Sequence, residues 1–366
     1  MREVDLLVFL VPFVHREIDD PTELEAVLGD EAEFLADFAA RGSGELDEIL
    51  RLAGDEETGI ADAKLELIGN LFGALRPDVL GERSGTAVFA LGYLRWQKAT
   101  YANVRPVKYM SGAKSPLRDP EGIDFVIVRE NMEDLYSGVE GELSVLQPLG
   151  FTNRLTRRPL PTEGGRFALK VITEENTRRI ADYACKLALR RKAQGKPGRV
   201  TVACKYNMLP QTDGLFRRVA AEVVKEYPDL TYEDYIVDDF ARRIVASPHD
   251  LDVVVLPNLY GDILSDEAAA LVGGLGVAPS GCYSDTFAYF EPVHGTAPDI
   301  VGQHIINPTA TLLSAAMMLD YLGLGSDAKR LEAAVEAVYR EGKSLTPDQD
   351  GGATSDEFCA AVRSKL

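Results

Sequence analysis

Short runs that are apolar throughout, or broken only by Thr201, recur along the chain, at 6–11, 125–128, 200–203 and Val253–Leu256. Each is too short for a typical helix, and none alternates polar with apolar. That pattern predicts strands buried on both faces of a sheet. Longer stretches with helical character lie between them, at 174–192, 215–225 and 309–322. Strand and helix taking turns predict an α/β fold with a mostly parallel sheet. Gly and Pro punctuate the chain at 195–198 and 273–280. A polar stretch at 344–355 predicts a loop before a last short helix, and acidic residues crowd 17–57 as surface helices and loops. No internal repeat interrupts the pattern.

At 366 residues the chain is long enough for a large core and two domains. Its net charge of −19 predicts a surface that repels nucleic acid and anionic membrane, so small molecules or proteins are the expected partners. An anionic substrate then needs a local cluster of Arg or Lys. The four cysteines, Cys185, Cys204, Cys282 and Cys359, have no metal-finger or redox-pair spacing. They predict a reduced, cytoplasmic protein without disulfides. The apolar opening run has acidic flanks and no small-residue cleavage site, so it is read as a first strand rather than a signal peptide. No segment has the length of a bilayer span.

Candidate chemistry starts immediately after Val253–Leu256, in Asn258-Leu-Tyr-Gly-Asp-Ile-Leu-Ser-Asp266. Asp262 and Asp266 are four apart, which on a helix places both carboxylates on one face. Paired hard oxygen ligands suit Mg²⁺ or Mn²⁺; the alternative is that Asp262 caps a helix. Arg95, Arg105 and Arg129 form a second set. Arg129 follows a buried strand, at the sheet edge where α/β folds bind ligands. Guanidinium forks grip carboxylates with two bonds, and three of them suggest a di- or tricarboxylate. Lys205 closes the 200–203 run as a candidate proton-transfer group, or else a salt-bridged lysine. Asp238 also ends an apolar run, as a third metal ligand or a helix cap. The Gly/Pro-rich segment 291–302, with His294 at its centre, offers backbone N–H groups to phosphate oxygens. No GxGxxG follows the first predicted strand, so a Rossmann dinucleotide site is not indicated.

Together, the motifs at 101–107, 129–140, 205–216, 258–276 and 291–322 resemble those of the β-decarboxylating dehydrogenases, the isocitrate, homoisocitrate and 3-isopropylmalate dehydrogenase family. The resemblance runs from residue 60 to the C-terminus. It implies a two-domain isopropylmalate/isocitrate dehydrogenase-like fold that is not Rossmann. Residues 1–100 with 273–366 would form the cofactor side, and 101–272 the part that carries the dimer interface and the catalytic Lys and Tyr. It also implies a homodimer with shared active sites, NAD, and Mg²⁺ or Mn²⁺. By motif, Arg95, Arg105 and Arg129 match the substrate-carboxylate clamp and Tyr136 the proton donor. Lys205 matches the proton-relay lysine lent by the partner subunit. Asp238, also from the partner, matches a metal ligand with Asp262 and Asp266. His294, Gly295, Thr296, Ala297, Asp299 and Asn307 match the cofactor segment, with Asp299 favouring NAD over NADP.

The chain departs from the family in two places. A glycine-rich GDGIGPE turn is missing after the first strand, where Val11-Pro-Phe-Val-His15 stands. Phe89 and Leu91 replace the Ser and Asn of isocitrate-type enzymes. Apolar residues there favour a 3-isopropylmalate-like substrate. Isocitrate, homoisocitrate and tartrate- or malate-type substrates remain the alternatives. A non-catalytic regulatory subunit is the alternative of another class; it would be expected to have lost ligands that this chain keeps.

Overall fold

The structure, a computed structural model, describes residues 93–161, 163–295, 297–300 and 302–366. The strand expected at 6–11, the acidic stretch 17–57, Phe89, Leu91 and Thr296 lie outside the described residues. The described chain opens with a wide helical turn, Tyr93–Gln97, and then forms β1 (Ala102–Lys108) and β2 (Asp124–Glu130). An arm follows, made of a two-stranded sheet, β3 (Glu140–Glu142) with β4 (Arg166–Ala168), and a 3₁₀ segment, Leu143–Leu149. Next come α1 (Glu174–Ala193), β5 (Arg199–Cys204), α2 (Thr212–Lys225), β6 (Thr231–Ile236), α3 (Val237–Ala246), β7 (Val253–Leu256) and α4 (Asn258–Val272). The chain ends with β8 (Pro279–Tyr283), β9 (Ala288–Pro292), α5 (Thr309–Tyr321), α6 (Gly325–Glu341) and α7 (Ser355–Arg363).

Among the described residues, seven strands form one sheet in the order β6-β5-β7-β2-β1-β8-β9. The ladders from β6 to β2 are parallel, and those from β2 through β1 and β8 to β9 are antiparallel. The sheet is therefore mixed rather than mostly parallel. Parallel neighbours need long crossovers, and these are the helices the sequence displays. Antiparallel neighbours need only short connections, such as 284–287 between β8 and β9. The antiparallel strands β1 and β8 carry Arg105, Pro106 and Gly281 among their apolar residues, so they lack the unbroken pattern.

Alternate residues of β2 face opposite cores, which explains why its run is apolar throughout. Val126 and Val128 join a cluster with α1 and α2, including Ile180, Ala184 and Phe216. Phe125 and Ile127 join Phe240 and Ile244 of α3 and Leu264 and Ala268 of α4. A third core packs α5, α6 and α7 against β9. Helix α1 begins where the Thr173 side chain accepts the Asn176 N–H, with Glu174 and Glu175 in its first turn and three basic residues in its last. The expected loop at 344–355 is present and contains one 3₁₀ turn, Pro347–Gln349. A capping box at Thr354 then starts α7.

Candidate active site

The site assembles where β2 and β7 end side by side. Arg129, next to last in β2, pairs in register with Leu256, the last residue of β7. Helix α4 starts two residues later, at Asn258, so Asp262 lies in its second turn and is not its cap. Gly261 lets this helix press against β2. A Cβ there would fall 2.6 Å from Cγ of Arg129 and 3.2 Å from its Cα.

Arg129 is 2% exposed and tightly held. Its Nε donates to Asn258 Oδ1 at 2.9 Å, and its Nη1 pairs with one oxygen of Asp262. The other Asp262 oxygen accepts the Tyr136 hydroxyl. Arg105 reaches the same place from β1. Its Nη1 lies 2.6 Å from Ser265 Oγ, 3.2 Å from Asp262 and 3.5 Å from Asp266, so both carboxylates converge on one cationic point. Asn103 Oδ1 accepts from Arg105 Nε at 3.2 Å. The guanidinium carbons of Arg129 and Arg95 lie 4.9 Å and 5.6 Å from the centre of the Tyr136 ring. The three predicted arginines, Tyr136, Asp262 and Asp266 thus form one constellation.

Burial, with repulsion from Arg105 and Arg95, pushes the Arg129 guanidinium down to about 10, still protonated at neutral pH. Burial raises Asp262, but Arg129, the Tyr136 hydroxyl and the other two arginines outweigh it and hold the carboxyl below its usual range. Asp266 goes the other way: burial and the charge of Asp262 raise it, against Arg105 and Arg129. Burial and the bond to Asp262 raise Tyr136, so its phenol keeps its proton. Converging cations beside two carboxylates can bind a polycarboxylate, and the tyrosine can donate a proton.

Lys205 and Asp238 stand apart. Lys205 directly follows β5, its backbone N–H donating to Asp213 Oδ2 at 2.7 Å, and its ammonium pairs with Asp238 in the first turn of α3. That bond holds the Asp238 carboxyl down. Neither a capping bond from Asp238 nor any hydrogen bond or ion pair from this couple to Arg105, Arg129 or Asp262 occurs among the described residues. In the same way, no group of three His, Cys, Asp or Glu able to hold a metal occurs among them. Among the described residues of one chain, the hard donors of the site are Asp262 and Asp266. They fit a divalent cation as a partial set that needs a further ligand.

The predicted cofactor segment follows β9. His294 Nδ1 lies 2.9 Å from Gly295 O, Ala297 adopts φ +44°, and Asp299 sits exposed in the turn Pro298–Ile300. Asn307 is buried, and both ends of its amide are hydrogen-bonded. It donates to the Tyr339 hydroxyl at 3.1 Å and to Asp348 at 2.9 Å, and accepts the Thr309 N–H at 3.0 Å. Its side chain therefore anchors the loop to α6 and the 347–349 turn.

Sequence reasoning missed the groups that aim the clamp: Asn103, Asn258 and Ser265. Asn258 was findable, since it opens the conspicuous motif after a buried strand. Glu133 was also missed. Its carboxylate takes the Thr173 N–H, the Thr173 hydroxyl and the Asn176 amide, each at 2.8 Å, which ties the Tyr136 segment to the start of α1.

Arginines at a strand edge converge on paired aspartates over an α/β sheet, an arrangement chemically able to hold a small carboxylate. A sequence model of the isocitrate/isopropylmalate dehydrogenase family matches residues 54–362, and the chain belongs to that family of oxidoreductases acting on small carboxylates. Among its relatives, the 3-isopropylmalate/3-methylmalate dehydrogenase of Methanocaldococcus jannaschii is 44% identical over 288 residues, 79% of this chain and 80% of the relative. The isocitrate/homoisocitrate dehydrogenase of Thermus thermophilus is 47% identical over 274 residues, 75% of this chain and 73% of the relative. A crystal structure of isocitrate dehydrogenase from Methylococcus capsulatus superposes with a TM-score of 0.67 at 32% identity, over 87% of this chain and 94% of that one.

Proposed function

We propose that the chain is a catalytically active, NAD-dependent dehydrogenase that oxidises and decarboxylates a 3-substituted (R)-malate, with a 3-isopropylmalate-like substrate favoured. The observation that carries this reading is the convergence of Arg105, Arg129, Tyr136, Asp262 and Asp266 at one strand edge. Arg105 and Arg129, with Arg95, hold the substrate carboxylates. Lys205 takes the proton of the C2 hydroxyl, and Tyr136 returns a proton to C3 after CO₂ has left. A divalent cation on Asp262 and Asp266 would supply Lewis acidity, and NAD a hydride acceptor.

The reading places Lys205 and Asp238 in the site of a second copy, because within one chain they are joined to each other and not to the clamp. Apolar side chains exposed along the arm, Val139, Val145, Leu149, Phe151, Leu155 and Leu169, support a homodimer that covers them. The division into 1–100 with 273–366 and 101–272 belongs to the same proposal. A cytoplasmic setting is supported by four free, buried cysteines, and no described helix is long and apolar enough to cross a membrane. The Thermus relative's name favours isocitrate or homoisocitrate as a second reading. Retention of every clamp residue argues against a purely regulatory subunit.

The test is the purified chain with NAD and Mg²⁺ against 3-isopropylmalate, isocitrate, homoisocitrate, tartrate and malate. NADH should form with at least one of them and stop in chelator. No NADH with any would sink the catalytic reading, and isocitrate tenfold better than 3-isopropylmalate, about 1.4 kcal/mol, would move the substrate assignment. Asp299 is exposed where a ribose-binding carboxylate would repel a 2′-phosphate, so Asp299→Lys should shift the NAD/NADP efficiency ratio toward NADP.

A further inference from the structure

Lys170 follows β4 at the base of the arm, with its side chain 13% exposed. Its ammonium lies 2.7 Å from Asp213 and 3.3 Å from Asp134, both fully buried carboxylates, and 4.3 Å from the centre of the Tyr260 ring. Each carboxylate leads to a group given a role in proton transfer. Asp134 comes two residues before Tyr136. It adopts φ 69° and ψ −145°, a conformation that side-chain-bearing residues rarely tolerate. It is held there by its N–H on Val171 O at 2.8 Å and by its Oδ2, which accepts the Leu259 N–H at 3.0 Å. Asp213 accepts the backbone N–H of Lys205 at 2.7 Å and so fixes the turn after β5.

We propose that Lys170 is a positioning residue for both Tyr136 and Lys205, acting through Asp134 and Asp213. The inference rests on the roles proposed above for those two groups. Without a cation between them, two buried carboxylates would repel each other and lose their charge compensation. Either one moving displaces the segment it pins. Burial disfavours the charge on Lys170, but the bond to Asp213 and the charge of Asp134 outweigh it and raise its pKa, so the ammonium persists. In a dimer with shared sites, Tyr136 serves one active site and Lys205 the other. Lys170 then joins the two sites through a single buried charge.

The experiment compares Lys170→Met, Lys170→Arg, Asp134→Asn and Asp213→Asn with wild type. The assay uses NAD, Mg²⁺ and whichever of 3-isopropylmalate, isocitrate or homoisocitrate the wild type turns over. Trp96, the chain's single tryptophan, donates to Met132 O at 3.2 Å, so its emission reports the Tyr136 segment without any assay of activity. In a folded Lys170→Met, kcat should fall about a hundredfold, since misplaced groups cost that much, while KM moves little because the clamp is untouched. Its Trp96 emission should shift, and Lys170→Arg should restore most of kcat. Asp213→Asn should slow the first turnover of NADH with Trp96 unchanged. Asp134→Asn should shift Trp96 and spare the first turnover more than the steady state.

Wild-type kcat in Lys170→Met, or a loss carried by KM alone, overturns the proposal. If Lys170→Met does not fold, the two Asn variants decide: slowing as described supports it, and wild-type kcat in both overturns it. Tyr136→Phe and Lys205→Met run alongside. Wild-type kcat in either removes the catalytic assignment itself, whereas slow Tyr136→Phe and Lys205→Met beside a normal Lys170→Met removes only the role of Lys170.

Discussion

Two ion pairs stand at the ends of strands in the parallel part of the sheet, and they differ in almost everything except chemistry. Arg129 with Asp262 joins a 2% exposed side chain to one that is 34% exposed, and Asn258, Arg105 and Tyr136 reinforce the pair. Lys205 with Asp238 is 30% and 67% exposed, and no other described side chain forms a hydrogen bond or ion pair with the Lys205 ammonium or the Asp238 carboxylate. Breaking a pair like the first strands a buried charge, whereas a pair like the second contributes little to stability and can exchange partners freely. The fold of one chain thus brings Arg105, Arg129, Asp262 and Asp266 together in advance. It leaves the lysine and its aspartate available to be used elsewhere, which is what a site completed by a second copy requires.

The comparison breaks most sharply at Asp262. Asp262→Asn removes the anion that pairs with Arg129 and Arg105 and accepts from Tyr136. It should lower kcat/KM by a factor on the order of 10²–10³, roughly 3 kcal/mol of transition-state stabilisation, and weaken the Mg²⁺ dependence. Steady-state kinetics with a metal titration measures both. Unchanged turnover would mean that the buried pair is only structural and the chemistry lies elsewhere.

The exposed pair is tested by complementation. Lys205→Met should slow NADH formation itself, and Tyr136→Phe should spare hydride transfer more than release of the protonated product. Mixing the two inactive variants should restore part of the activity, because one site of each mixed dimer keeps both groups. Absence of recovery in a sample shown to exchange subunits would remove the shared site, and with it this explanation of why Lys205 and Asp238 stand apart.

A smaller effect is expected where helix α4 touches the clamp. In Gly261→Ala the added methyl would sit 2.6 Å from Cγ and 3.2 Å from Cα of Arg129, so helix or arginine must shift. Overpacking of this kind costs about 1–3 kcal/mol. Thermal unfolding should show it, and KM should rise more than kcat falls because the clamp, not the proton path, is displaced. A wild-type Tm and KM would show that the contact relaxes freely.

Of the strands in the parallel ladders, β2, β5 and β7 were legible because burial on both faces leaves apolar runs such as Val253–Leu256, whereas the half-exposed β6, with Thr231, Glu233 and Asp234, carries no such run. The antiparallel half was not legible, because Arg105 and Pro106 interrupt β1 and no crossover helix announces it. At the site, Arg129 was visible from its position at a strand end, Asp262 and Asp266 from their spacing, and Arg95, Arg105 and Tyr136 from motifs that resemble the family's, and the structure brings all six together. The groups that orient them were hidden. Nothing in sequence marks Asp134 for a left-handed backbone or Lys170 as the cation between two carboxylates, since both depend on elements distant in the chain meeting in space. Asn307 was legible as a residue of the loop, whereas its bonds to the distant Tyr339 and Asp348 were not.

The smallest effect separates the two carboxylates on α4. Asp262 is held below the usual carboxylate range because the arginines and Tyr136 outweigh its burial, while burial and its neighbour raise Asp266. As pH falls, Asp266 therefore takes its proton first, and Asp262 stays ionised to lower pH. Asp262 contributes stability above its unfolded pKa that is lost as pH falls through its depressed folded value; the raised pKa of Asp266 works the other way, disfavouring folding once that carboxyl ionises. A metal needs both carboxylates deprotonated, so Mg²⁺ or Mn²⁺ affinity should start to drop while the Arg129–Asp262 pair is still intact. Calorimetric metal titrations across the acidic range should show that first bend, and it should vanish in Asp266→Asn. Trp96 emission should stay constant through the bend, because the clamp beside it has not titrated. A bend that survives in Asp266→Asn, or one that coincides with a change at Trp96, would mean that the two carboxylates titrate as a unit and that the clamp is less preassembled in the single chain than its buried pair implies.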